Sequence, residues 1–389
     1  MKSPQFIWQL PGWPAMSYDG QQASAAVALA RRAQGVIEGK LAVLGLSQQQ
    51  ALAAEAWTQD AMSTAAIEGQ PLDLAAVRSS VAKRLGIGPR TNQKTPRHVD
   101  GLLDSMNDAL ANAHQALTHE RLQNWQAALF PTGYSGMNRI MVGAYRQHTE
   151  PMQIVSGVLG REKLHYQAPP SATVTQETDK LLQWLDSSDG TDNLVKAALA
   201  HLWFETIHPF EDGNGRVGRV IVDLVLARDA GPSSRLLRIS QQLLISRSQY
   251  YDELQRAQHG PLDVTPWVVW FTSQVRLACE AASQLIDLSL VKARFWEAHH
   301  DKNLNARQRK AVNLLLDAGP GGFEGGMSTR KYESLGPTSR ATATRELVEL
   351  AALAVLQSQG AGRSTRYHIN LNGWDAEPPK NPSPATTAT

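Results

Sequence analysis

One cysteine, Cys279, stands in a chain of 389 residues, so an intramolecular disulfide is excluded, and so is a structural zinc site built from spaced thiolates. That usage fits a reducing compartment. Long apolar runs are missing as well, and none approaches the ~20 residues that cross a bilayer. The segment Phe6-Ile7-Trp8-Gln9-Leu10-Pro11, preceded by the lone cation Lys2, is too short and too broken by proline for a signal-peptide core. The expected setting is the cytoplasm, with no membrane partner. Charge of one sign is not in excess, with 38 Lys and Arg against 36 Asp and Glu. The chain as a whole therefore has no basic field to drive non-specific nucleic-acid binding, and any such contact must be local. The length exceeds one ordinary core, which predicts several domains.

What is present is mostly helical. Residues 1 to about 20 carry Trp8, Trp13 and Tyr18 among prolines and read as an extended aromatic arm pinned to the body. Gln21 to Leu44 is Ala-rich. Ser47 to Ile67 runs without proline or glycine, opens with a capping-box pattern, Ser47 and Gln50, and closes at Gly69. Arg84 to Arg97 is a Gly, Pro and basic loop. The β-branched run Gln153-Ile154-Val155-Ser156-Gly157, with Val158-Leu159 among turn residues, predicts a short hairpin. Leu194–Ile207, Val217–Ala227 and Thr265–Ile286 have apolar residues at helical spacing, so the centre is a helical bundle. After about Lys292 come helices at Ala306–Asp317, Ser328–Leu335 and Thr338–Ala351. Gln359–Arg366 then leads into alternating Tyr367, Ile369 and Leu371, an order that resembles a winged helix-turn-helix. Asp375 to Thr389 holds four prolines and no large apolar side chain, which predicts disorder.

The chemistry concentrates in His208-Pro209-Phe210-Glu211-Asp212-Gly213-Asn214-Gly215-Arg216-Val217-Gly218-Arg219, between two helical segments. Gly213 and Gly215 allow the backbone to turn successive N–H groups inward, an anion nest at the start of a helix expected near Arg216. Arg216 and Arg219, three apart, can grip separate phosphates. Asp212 offers a hard oxygen suited to Mg²⁺, and His208 has the ordinary pKa of a general base. Gly213, Gly215 and Gly218 also fit a dinucleotide fingerprint, but the preceding segment is helical where that fingerprint needs a strand. His201, Glu205 and His208 share roughly one helical face, and a metal triad is an alternative there.

The stretch matches the Fic signature, HxFx(D/E)GNGRxxR, at every defined position, and the chain resembles the Fic (Fic/Doc) family of protein adenylyltransferases. The resemblance implies an all-α fold: a Fic-like helical bundle with a small β-hairpin flap, an N-terminal inhibitory helical segment and a C-terminal winged helix-turn-helix. The implied divisions are residues 1–90, an arm and inhibitory segment; 91–290, the catalytic core; 291–372, the winged helix; and 373–389, the tail. It also implies that AMP is moved from ATP to a Ser, Thr or Tyr hydroxyl of a protein, with the chain itself among the candidate targets. His208 would be the base and Asp212 the Mg²⁺ ligand. Gly213, Asn214, Gly215, Arg216 and Arg219 would hold the phosphates, and Tyr250 and Tyr251 would flank the adenine, although adjacent helical residues point in different directions and only one of the two can face the base. Ile154, Val155 and Ser156 would form the flap that pins the target. Gly143-Ala144-Tyr145-Arg146 resembles a structural family segment. Thr64-Ala65-Ala66-Ile67-Glu68-Gly69 resembles the family's inhibitory motif, [ST]xxxE[GN], in which Glu68 would pair with Arg219.

Two alternatives stay open at this level. Glu68 could make the same site a de-AMPylase, or the C-terminal domain could make the chain a DNA-binding regulator. From Asp301 to Asn370 there are ten Lys or Arg against six Asp or Glu, only mildly basic, so docking to DNA and docking to protein are both open. So is the choice between monomer and homodimer.

Overall fold

Strong helix-start signals set the architecture. In a computed structural model, which describes residues 6–87, 95–156, 163–372 and 374, Asp19 accepts from the Gln21 and Gln22 amides at 2.8 and 3.2 Å and starts α1 (Gly20–Leu41). α2 (Leu46–Ile67) starts one residue earlier than its expected cap at Ser47. Ser47 thus lies inside the first turn, where its hydroxyl cannot cap, and Gly45 takes the position, its amide donating to Gln48 Oε1 at 3.2 Å. α3 (Leu74–Leu85) runs from an Asp73 cap to Gly86, whose φ of 67° ends it.

There follow α4 (Arg97–Ala111), α5 (His119–Leu129), a small hairpin of β1 (Tyr134–Ser135) and β2 (Asn138–Arg139), and a second hairpin of β3 (Gln153–Ser156) and β4 (Lys163–Gln167). Then come α6 (Ser171–Asp186), α7 (Asn193–Ile207), α8 (Asn214–Ala230), α9 (Ile239–Ile245), α10 (Arg247–Gln258) and α11 (Thr265–Ala298). Packing separates two units, Met1–Ile286 and Asp287–Thr389.

The core of the first unit is the α7–α8 pair. Every residue from Leu194 to Ile207 is buried, so α7 is enclosed on all sides as a central helix is, with Lys196, His201 and Glu205 among its buried side chains. Close approach of α8 depends on Gly218, where an added Cβ would lie 2.5 Å from Glu205 Oε1 and 3.2 Å from the His201 ring. The arm is pinned by Phe6, which is buried, and by two indole N–H groups, Trp8 to the Gln167 carbonyl at 2.8 Å and Trp13 to Glu177 at 2.7 Å. It is not extended throughout: Ile7–Gln9 form one 3-10 turn, closed where the Phe6 amide donates to Gln9 Oε1.

In the second unit, α12 (Ala306–Ala318), α13 (Thr329–Glu333) and α14 (Arg340–Ala352) precede an antiparallel hairpin of β5 (Leu356–Gln359) and β6 (Arg366–Ile369). Met327 bridges to Tyr367 beside it. Leu316, Tyr332, Leu347, Leu350 and Ile369 form its core. Expectations about residues 88–94, Gly157, Val158, Leu159 and the 375–389 tail lie outside the described residues, as does the side chain of Ser156. No helix among the described residues is long and apolar enough to cross a membrane.

Candidate active site

α7 ends at His208, which adopts the left-handed conformation (φ 49°, ψ 60°) that few non-glycine residues take. Pro209 follows and disfavours the right-handed helical region for its predecessor. The strained turn is held by Arg146, which is 1% exposed. Its backbone N–H donates to the Pro209 carbonyl at 2.9 Å, Nε to the His208 carbonyl at 2.8 Å, and Nη2 to the carbonyls of Pro169 and Ile207 at 2.6 and 3.2 Å. Burial pushes this guanidinium down to about 10, so it stays charged at neutral pH.

The helix after the loop begins at Asn214 rather than near Arg216. Gly213, at φ 88°, makes the turn, and the first-turn amides of α8 have no side-chain cap, which leaves an anion cradle at the helix start. Two expectations change here. The Gly213 amide is taken by Asp212 Oδ1 at 2.5 Å. The Asn214 side chain is spent on Phe210, its Oδ1 accepting from the Phe210 amide at 2.9 Å and its Nδ2 donating to the Phe210 carbonyl at 2.8 Å. Asn214 therefore braces the loop around the buried Phe210 ring and offers an anion only its backbone N–H. The other Asp212 oxygen accepts a hydrogen bond from the Ser135 hydroxyl of β1.

The two arginines differ. Arg216 donates from Nη1 to Gln70 Oε1 at 2.9 Å, lies 4.9 Å above the Phe130 ring and has Nη2 3.6 Å from Asp212. Its Nε and Nη2 are buried without a hydrogen-bond partner among the described residues, so hydrogen-bonding capacity is held in reserve. Arg219 is filled by α2. Nε donates to Thr64 Oγ1 at 2.8 Å, and Nη2 donates to the Thr64 carbonyl at 3.1 Å and to Glu68 Oε1 at 2.6 Å. Glu68 is the C-cap of α2, and its carboxylate lies so close over the α8 start that a Cβ on Gly215 would come within 2.2 Å of Oε1. A carboxylate thus rests where the helix end favours an anion. Burial works against the charge of Glu68, but Arg219 outweighs it and holds the carboxyl below its usual range.

Behind Arg219, Asp60 of α2 accepts from the Ser240 and Gln241 amides at 2.8 and 3.2 Å, anchoring α2 to the start of α9. Burial pushes Asp60 up to about 6, and burial together with the charge of Asp60 pushes Asp223 well above the carboxylate range.

His208 has Nδ1 3.7 Å from Glu205 Oε2. Burial, reinforced by Arg146, holds the imidazole down at about 4, so it is neutral and able to accept a proton at physiological pH. Burial pushes Glu205 up to about 8. The metal-triad alternative does not form: His201 turns its Nε2 to the Tyr250 hydroxyl at 2.8 Å, and no group of three His, Cys, Asp or Glu among the described residues could hold a metal.

That bond also separates the two tyrosines. Tyr250 is 2% exposed and packs in the core, whereas Tyr251 is 40% exposed, with the Arg247 guanidinium 5.5 Å over its ring. Only Tyr251 has a face to offer a base. On β3, Ile154 and Val155 are exposed, and Ser156 pairs in register with Lys163. Sequence reasoning did not assign site contacts to Thr64, Gln70, Ser135 or Asp60. Thr64 alone had a signal, as the first residue of the Thr64–Gly69 pattern.

Residues 116–226 match the model of the Fic/DOC family, and residues 6–87 match a domain of unknown function, DUF4172. Among curated proteins, a probable protein adenylyltransferase of Aquifex aeolicus is 26% identical over 140 residues, 36% of this chain and 35% of that protein. Protein adenylyltransferase Fic of Aedes aegypti is 26% identical over 243 residues, 61% of this chain and 42% of that protein. The chain thus spans between a third and a half of the length of these relatives. Among solved structures, a Fic family protein from Desulfovibrio desulfuricans superposes with a TM-score of 0.52 at 21% identity, covering 88% of this chain and 95% of that one, a likeness of fold.

Proposed function

The chain carries a Fic/DOC family domain, and from that premise we propose that it is a protein adenylyltransferase, moving AMP from ATP to a protein hydroxyl and restrained by its own Glu68. The observation that carries this reading is a neutral, buried His208 beside an uncapped helix start, with a carboxylate of the same chain lying over that start and paired with Arg219.

The target hydroxyl gives its proton to His208 Nε2, the ring nitrogen not turned toward Glu205, and its oxygen attacks the α-phosphorus. One P–O bond forms to the target and the bond to pyrophosphate breaks. The imidazolium forms with its Nδ1 3.7 Å from the Glu205 carboxyl. The first-turn amides of α8 and the reserve donors of Arg216 hold the phosphates. Arg219 serves the γ-phosphate once Glu68 releases it.

A single carboxylate with one face partly exposed suits a cation that takes its other ligands from phosphate oxygens and water, and Asp212, about a third exposed, is such a group. Mg²⁺ bound there would neutralise phosphate charge. The edge of β3 pairs the target backbone, with Ile154 and Val155 facing it. Residues 1–90 act as the restraining segment of a core at 91–290.

The test is intact-mass analysis and peptide mapping after incubation with ATP and Mg²⁺. Glu68→Gly should gain a mass of one AMP on a Ser, Thr or Tyr, of itself or of an added protein, and Glu68→Gly/His208→Ala should gain none. Adducts of equal yield in both would refute it. Faster removal of AMP from a pre-labelled target by the parent chain than by Glu68→Gly would instead assign the site to de-AMPylation.

A further inference from the structure

The second unit separates its charges by face. On α14, Ala343, Glu346, Leu347 and Leu350 point inward and are buried. Glu346 is consumed there, accepting from Arg307 at 2.8 Å, from the Tyr332 hydroxyl at 2.8 Å and from Asn305 at 2.9 Å. The opposite stripe, Arg340, Ala341, Thr344, Arg345 and Val348, is exposed. Neither guanidinium in it has an ion pair or hydrogen bond among the described residues. The exposed acid on α14, Glu349, lies at the edge of this stripe and accepts from Gln308 Nε2 at 3.0 Å, so two arginines against it leave a net positive face on a chain that is otherwise nearly balanced.

The stripe has the right side chains for a base edge. Arginine forks onto guanine, while Thr, Ala and Val fit beside a thymine methyl. A protein-docking face would want aromatic or large aliphatic anchors, but here the stripe offers only Val348, 53% exposed. The thirteen residues of α14 make a rod of about 20 Å, long enough to lie across a major groove, and Ser339 caps its start by accepting from the Thr342 amide at 3.2 Å. The short α13 and the turn before α14 give a helix-turn-helix order, and the β5–β6 hairpin that follows carries Arg366. We propose that the Asp287–Thr389 unit binds duplex DNA, with α14 in the major groove and the β5–β6 hairpin against the adjacent backbone.

The test uses the full chain and a labelled mixed-sequence duplex of about 30 base pairs, read by fluorescence anisotropy from about 50 to 200 mM salt. A saturable complex is expected at low salt, weakening as salt rises through counterion release. On a mixed-sequence duplex, where no preferred base is presented, both arginines meet phosphates, so Arg340→Ala/Arg345→Ala should weaken binding at least tenfold at about 50 mM salt and flatten the plot of log K against log salt by about 2, near 0.9 per lost phosphate contact. Both positions are exposed, so the melting temperature should hold. Arg256→Ala, the loss of an exposed cation in the first unit, should leave DNA binding unchanged. No complex at about 10 μM chain in the lowest salt would overturn the proposal and favour a protein partner for this face. Equal weakening by Arg256→Ala would overturn it too, by showing that binding is not seated on α14.

Discussion

Replacing Glu68 should release the site, and the structure sets the size of the effect. The carboxylate makes one charge-assisted bond to Arg219, at 2.6 Å in a mostly buried pair. Such a bond is worth about 1.5–3 kcal/mol, so its loss shifts the population of freed Arg219 by about 10- to 150-fold. Glu68→Gly should therefore raise the initial rate of AMP transfer by a factor in that range. Glu68→Gln keeps an acceptor without the charge and should fall between parent and Gly. The release is incomplete in either, because Thr64 still accepts from Arg219 through its hydroxyl and its carbonyl. Thr64→Ala on the Glu68→Gly background removes the hydroxyl acceptor and should add a further severalfold gain. Arg219→Ala should not activate, since it removes the phosphate contact and strands Asp60, Asp223 and Glu205 without their nearby cation. The assay is initial self-labelling rate at fixed ATP and Mg²⁺. Equal rates in parent, Glu68→Gln and Glu68→Gly would refute the restraint.

Two further outcomes follow from packing and charge. Gly218→Ala would drive a methyl into Glu205 and His201 at the α7–α8 contact and should destabilise the first unit by about 1–3 kcal/mol, seen as a lower melting temperature; an unchanged one would mean that the two helices have slack. Because burial and Arg146 hold His208 at about 4 instead of its ordinary 6.5, transfer by Glu68→Gly should show no acid limb between pH 5.5 and 7, and an inflection near 6.5 would contradict that. The same depressed value means that the unfolded chain binds this proton first, so His208 contributes stability that is present above about 6.5 and lost as pH falls toward 4.

The candidate loop was legible because its parts are neighbours in the chain: a histidine, a turn that needs glycine at Gly213, a helix start and two arginines one turn apart. Glu68 and Arg219 lie 151 residues apart, and no periodicity links them; only the Thr64–Gly69 pattern did. Arg146 was placed in a structural segment, but its clamp on the His208 turn leaves no local trace, because a buried arginine donating to four carbonyls is written like any exposed one. Helical spacing said that only one of Tyr250 and Tyr251 could face a base, and the choice of Tyr251 came from the hydroxyl of Tyr250 meeting His201 across the core. The cap of α2 went to Gly45 rather than Ser47 because the helix starts two residues earlier than a Ser47 cap implies, a boundary that composition does not fix.

The central claim, that this site transfers AMP through His208, is tested most directly by incubating Glu68→Gly in parallel with ATP labelled at the α-phosphate and ATP labelled at the γ-phosphate. Label from the α-position should become covalently fixed to protein hydroxyls, label from the γ-position should leave as pyrophosphate, and both should fail with Glu68→Gly/His208→Ala. Fixation of the γ-label, or α-label fixed at the same rate without His208, would contradict it.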